Sequence, residues 1–211
     1  MEHPNSEPAQ IFLKDLEKDF YRLSFITDAK SEHLQKEMEV SIKAGDIVGK
    51  IYDCLYPLYE AVMNEQNKKE LLHSLNMLCV RLVFCLYAED AGIFGQKSMF
   101  GDYLKRLEAR DIRSHLIELF KILDTKVAER DPFLDKDLAA FPYVNGGLFS
   151  HIDNAIPQFT EELKDLLVNK ASHDFDWSEI SPTIFGAGFE STLNPETRRS
   201  GGMHYTSIEN I

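Results

Sequence analysis

From residue 67 to 94 the chain reads NKKELLHSLNMLCVRLVFCLYAEDAGIF, with apolar positions at three- and four-residue steps: Leu71, Leu72, Leu75, Leu78, Leu82, Val83, Leu86 and Tyr87. That period predicts an α-helix with one face turned inward. Met77, Cys79, Val80, Phe84 and Cys85 fill most of the opposite face, so the segment reads as a central core helix surrounded by the rest of the fold. Asn76 and Arg81 interrupt the run and leave fewer than about 18 uninterrupted apolar residues, too few for a bilayer. Asn67 is placed to cap the first turn, with Glu70 reciprocating. Gly92 is placed to end the helix in the left-handed conformation, with Ile93 folding back onto the last turn.

The flanking pattern is also helical. Ile11, Phe12, Leu16, Phe20 and Leu23 share one face of a helix over 8–23. Residues 27–44 are charged and poorly periodic, which predicts a surface connection ending in a short helix. Ile47, Val48, Ile51, Leu55, Leu58, Val62 and Met63 restore the period over 46–63, with Pro57 expected to kink or divide that helix. Downstream, Ser98 is expected to cap a short helix carrying Phe100, Tyr103 and Leu104. Asp111 is expected to cap a longer one with Leu116, Leu119, Phe120 and Leu123 inward. The segment DPFLDKDLAAFPYVNGGLF, 131–149, is turn chemistry pinned by Phe141, Tyr143, Leu148 and Phe149, and reads as an architectural clamp. Residues 159–168 make one more amphipathic helix. The fold class expected is all-α, a multi-helix connector around a central buried helix with a short C-terminal tail.

Composition narrows what such a fold does. A formal net charge of -12 over 211 residues argues against a domain that coats nucleic acid by itself. The most basic stretch, Lys97, Lys105, Arg106, Arg110 and Arg113, is diluted by Asp102, Glu108 and Asp111 and reads as a solvated face. Cys54, Cys79 and Cys85 fit neither a zinc-site nor a disulfide spacing and read as reduced core residues of a cytoplasmic protein. MEHPNSEPAQ carries no secretory signal.

Candidate chemistry is sparse. Arg81 and Glu89 stand two turns apart, with Asp90 beside them, and read as a half-buried ion pair or a solvated edge. A small helical enzyme is the rival reading, and it needs all three to converge in one pocket. Asp153 with Glu162-Leu163-Lys164 superficially matches a metal-dependent nuclease pattern, but Glu162 and Lys164 fall in helical sequence instead of on strands around a metal. Gly146-Gly147 lacks the lysine and following helix of a phosphate loop. No metal site and no catalytic residue is expected within the chain.

The C-terminal forty residues carry DWSEISPTIFGAGFE, in which Ser181-Pro182 starts a helix, and then RRSGGMHYTSIENI, where Thr206 and Glu209 form a second capping box. A helix announced so clearly and then left five residues long predicts that the chain is a piece of a longer protein. RLVFCLYAEDAGIF, FPYVNGGLF, DWSEISPTIFGAGFE and RRSGGMHYTSIENI, in this order and spacing, resemble the segment before the methyltransferase domain of MmeI-like single-chain DNA restriction-modification enzymes, across about residues 45–211. In that family the helical segment is a helicase-like spacer between an N-terminal nuclease and an adenine-specific methyltransferase.

The resemblance implies a division into an N-terminal helix and surface connection, 1–43, a spacer core, 44–172, and a junction leading into the methyltransferase, 173–211. It implies S-adenosylmethionine as the parent's cofactor, with none for this piece. GGMHYTS resembles motif X, which points to His204, Tyr205, Thr206 and Ser207 at the methionine end of that cofactor. The implied partners are duplex DNA through the parent and the methyltransferase domain in cis, with no membrane. The Asn-Pro-Pro-Tyr that receives a flipped adenine is absent from the chain, so this piece is expected neither to methylate nor to cut. The alternative is a stand-alone helical interaction module.

Overall fold

The computed structural model describes residues 24–144, 146–150 and 155–180, with side chains from 35 onward. In order they form α1 (Ser24–Glu60), α2 (Lys68–Asp90), α3 (Met99–Lys105) and α4 (Ala109–Leu123). A 3-10 turn (Val127–Glu129), α5 (Lys136–Ala139) and α6 (Glu161–Asp165) follow, and α6 runs on into a π-helix (Leu166–His173) and a last 3-10 turn (Trp177–Glu179). The described residues are helices, turns and loops without a strand, an all-α fold. The chain divides into two compact units, 1–40 and 41–211.

Helix α2 is the centre of the second unit. Leu75, Cys79, Leu82, Val83, Cys85, Leu86 and Ala88 have no exposed surface at all. By length and composition alone α2 is apolar enough to cross a membrane, yet 56% of its apolar window is buried inside the fold. Also without exposed surface are Ile51 and Leu55 from α1, Phe100 and Leu104 from α3, Ile112, Leu116, Leu119, Phe120 and Leu123 from α4, and Leu163 from α6. Phe149 packs its ring against Phe84 and Phe120 at 5.6 and 5.3 Å, and Phe141 packs against Phe94 and Tyr103 at 5.2 and 5.6 Å. These two rings fasten the 131–149 loop as a clamp, while Tyr143 and Leu148 stay half-exposed.

Several local expectations are corrected. Residues 27–44 belong to α1, because their Lys, Glu, Ala, Leu, Gln and Met favour a helix by propensity even where the apolar period is broken. The breaks are real: Met38 is 56% exposed. Pro57 does not divide α1; its missing amide falls in the last turn, and Ala61 N–H donates to the Pro57 carbonyl at 3.1 Å as the helix stops. The Asn67 capping box does not form. The Asn67 side-chain oxygen accepts from the Asn64 amide at 2.7 Å and its Nδ2 donates to the Val62 carbonyl at 3.0 Å, so it knots the preceding turn.

At the other end of α2, Gly92 is left-handed at φ 77° and Ile93 N–H returns to the Ala88 carbonyl at 2.9 Å, as a glycine stop requires. The apolar group that turns inward is Phe94, whereas Ile93 is 45% exposed. Ser98 makes no side-chain cap, and Glu108, not Asp111, precedes α4. The last helix is capped by Thr160, whose hydroxyl accepts from Leu163 N–H at 3.1 Å, and extends to His173, past the expected 168. Packing continues through Trp177 and Ile180. The expected helix over 8–23, Asp153 and all of 181–211, including His204, Tyr205, Thr206 and Ser207, lie outside the described residues.

Candidate functional site

Arg81, Glu89 and Asp90 are not the half-buried pair or solvated edge that their spacing suggests. Arg81 and Glu89 are each 1% exposed. Their partners are later stretches of backbone. Arg81 Nε donates to the Leu148 carbonyl at 2.9 Å and Nη2 to the Ser150 carbonyl at 3.0 Å, while its guanidinium lies 5.6 Å above the Phe120 ring. Burial pushes the guanidinium down from its usual range, and Asp124 opposes that. The clamp loop is thus held from inside by a charge-assisted fork.

Glu89 serves a different segment. Its Oε2 accepts from the Phe100 and Gly101 amides at 2.8 and 2.9 Å, the first amides of α3, which Ser98 leaves uncapped. Ser172, on the π-helix, faces the same place: a Cβ on Gly101 would lie 2.0 Å from Ser172 Oγ and 3.8 Å from Glu89 Oε1. Asp90 Oδ2 accepts from the Trp177 amide at 2.8 Å, and Trp177 Nε1 donates to the Ala171 carbonyl at 2.7 Å. Lys97 adds an exposed ion pair to Asp176 at 3.0 Å.

Three charged residues on one helix therefore tie down the clamp loop, α3 and the last 3-10 turn. They reach three different partners, and none of them lines either of the two surface clefts described. Among the described residues no group of three or more His, Cys, Asp or Glu is placed to hold a metal. Glu162 and Lys164 are helical, and Lys164 borders a surface cleft of about 260 Å³ with Lys105, Glu161, Asp165, Val168 and Asn169. The basic stretch is spent on local partners: Arg106 pairs with Asp137, Arg110 with Glu108 at 2.9 Å, and Arg113 Nε donates to the Ile156 carbonyl at 2.8 Å. No sequence signal pointed to the Glu89 tie, because Ser98 stands where a conventional cap is expected.

Burial raises the Glu89 carboxyl from 4.5 to about 7; the Gly101 amide and the Ser172 hydroxyl pull it down and Asp90 pushes it up. The folded carboxyl holds its proton more tightly than the unfolded one, so its contribution is greatest below pH 4.5 and is lost as pH rises to about 7. The expected loss is about 3 kcal/mol, levelling off only about one pH unit above the folded value. Glu89→Gln keeps an acceptor for the two amides and should flatten that slope. Urea unfolding of both proteins from pH 4.5 to 8 measures it; equal slopes would refute the buried-carboxyl account.

The model of the MmeI helicase spacer domain matches residues 73–149, which run from α2 to Phe149 of the clamp. Over 180 residues the chain is 34% identical to DNA methyltransferase A of Bacillus subtilis (strain 168), covering 84% of this chain and 19% of that protein. A solved structure of the Type IIL restriction-modification enzyme MmeI in complex with DNA superposes with a TM-score of 0.57 at 38% identity. The chain is a helicase-spacer region of an MmeI-like restriction-modification protein. The spacer spans about a fifth of the length of both relatives, 19% of one and 20% of the other. Two of the four quoted motifs, RLVFCLYAEDAGIF and FPYVNGGLF, meet within the matched residues: Arg81 of the first holds the Leu148 carbonyl of the second. Arg81 thus joins the two motifs directly.

Proposed function

We propose that the spacer is a rigid strut that holds a methyltransferase domain of its parent at a fixed orientation to the rest of the protein on duplex DNA. The parent reaction proposed is methyl transfer from S-adenosylmethionine to the exocyclic amine of adenine, in the cytoplasm. The observation that carries the strut reading is the set of ties from α2: Arg81 to the clamp, Glu89 to α3 and Asp90 to Trp177, spanning up to 87 residues of sequence. Segments so far apart, held to one helix by buried and half-buried side-chain bonds, move together.

The division into 1–43, 44–172 and 173–211 belongs to the same proposal, with the last stretch leading into the methyltransferase. The residues proposed for the cofactor, His204, Tyr205, Thr206 and Ser207, lie outside the described residues, and the described residues hold no strand for a cofactor loop to follow. The role proposed for the spacer's own residues is to orient.

The test is replacement of residues 44–172 in the full-length parent by a glycine-serine linker long enough to span the same ends. Methyl transfer to duplex DNA should be lost while S-adenosylmethionine still binds. Undiminished methyl transfer would overturn the strut.

A further inference from the structure

The loop between α4 and α5 carries Phe133, the most exposed of the large apolar side chains described, at 93%. A single exposed apolar group is ordinary on a protein surface. What distinguishes Phe133 is how firmly the backbone beneath it is fixed. Asp131-Pro132-Phe133-Leu134 is a tight turn: Asp131 Oδ1 accepts from Phe133 N–H at 2.8 Å and the Asp131 carbonyl from Leu134 N–H at 3.2 Å. Aspartate first and proline second are what such a turn favours.

On one side of the turn, Arg130 donates to the Thr125 and Ile122 carbonyls at 3.0 Å each, and to the Phe141 and Ala139 carbonyls at 2.7 and 3.4 Å. On the other, Asp135 caps α5 by accepting from Asp137 N–H at 2.9 Å. The ring is held outward on a fastened loop, so little conformational freedom is left to lose when a partner covers it.

The surroundings select the partner. Asp131 and Asp135, two residues to either side of Phe133, are both exposed. Lys126 and Glu129 offset each other at 3.9 Å, and Arg130 is turned inward onto carbonyls. An acidic turn of this kind repels phosphates and suits lysine and arginine. The spacer is a fifth of the length of its relatives, so other domains of the parent are tethered beside it at high effective concentration.

We propose that Phe133 is an anchor seated in an apolar, basic-rimmed pocket on another domain of the same polypeptide. This rests on the strut reading and gives the strut a point of contact. The test uses the full-length parent with Phe133→p-benzoylphenylalanine, irradiated with and without duplex DNA, and the attachment point mapped by mass spectrometry. The expected product is an intrachain crosslink to a residue outside 1–211 whose yield does not depend on protein concentration. A crosslink between chains that grows with concentration, a crosslink to DNA, or none at all would each overturn the proposal.

A second variant, Phe133→Ser, should raise amide exchange at the attachment point and leave exchange in α2 and α4 unchanged. No change outside the spacer would count against the anchor. The two readings fail separately: a missing crosslink in a parent that still needs its spacer removes only the anchor, and a dispensable spacer removes the strut whatever the crosslink shows.

Discussion

Gly101→Ala is expected to lower the melting temperature by about 10 °C, the counterpart of about 3 kcal/mol in a chain of this size. The added Cβ would lie 2.0 Å from Ser172 Oγ and 2.6 Å from Ser172 Cβ. Rotating the hydroxyl relieves the first clash. The second involves a carbon fixed to the π-helix backbone, so α3 or the π-helix has to shift. That shift strains the two amide bonds from Phe100 and Gly101 to Glu89, which is buried and has no water to fall back on. Adding Ser172→Gly removes both clashing atoms and should restore most of the loss, less about 1 kcal/mol for glycine inside a helix. Thermal melts of the two single variants and the double one measure this, and a Gly101→Ala protein that melts like its parent would disprove the close approach.

Trp177→Ala should cost about 4 kcal/mol, the usual range for emptying a buried aromatic site. Trp177 has no exposed surface, stacks edge-on with Phe175 at 4.9 Å and gives its indole N–H to the Ala171 carbonyl. Trp177→Phe separates the two contributions. It keeps most of the ring volume but strands that buried carbonyl at the end of the π-helix, so it should lose about 2 kcal/mol by itself. The backbone amide that Asp90 accepts survives both changes. Chemical unfolding of the two variants against the parent reads the difference; a Trp177→Phe protein as stable as the parent would show that the indole bond contributes nothing. A loss of this size is a large share of a typical total stability of about 10 kcal/mol.

The parts of this fold that were legible are those written in local periodicity. Leu75, Leu78, Leu82, Val83 and Leu86 in α2, and Leu116, Leu119, Phe120 and Leu123 in α4, point inward as their spacing says. Gly92 stops α2 as its φ requires. The roles of Arg81, Glu89 and Asp90 were not legible, because their partners are backbone groups 67, 11 and 87 residues away, and a backbone amide or carbonyl leaves no mark in a sequence. Asn67 misled for a related reason: the turn before the helix competes for the same side-chain oxygen, and Asn64 takes it. Trp177 sits in a motif that reads as the lead-in to the next domain, yet its ring belongs to the packed helical body.

The order of the four motifs carried more about function than any single residue did. RLVFCLYAEDAGIF reads as part of the central helix and FPYVNGGLF as a clamp, but nothing in either stretch says that the two grip each other. In the structure they are the two halves of a mechanical joint, one supplying Arg81 and the other the carbonyls and rings that it grips. Arg81 and Glu89 are costly to bury, and the ties offset that cost only in part, since Glu89 Oε1 has no hydrogen-bond partner among the described residues.

Methyl transfer from labelled S-adenosylmethionine to adenine in duplex DNA, compared between these 211 residues and their full-length parent, tests the central claim most directly. The account predicts incorporation by the parent and none by the 211-residue chain; incorporation by the chain alone would contradict it.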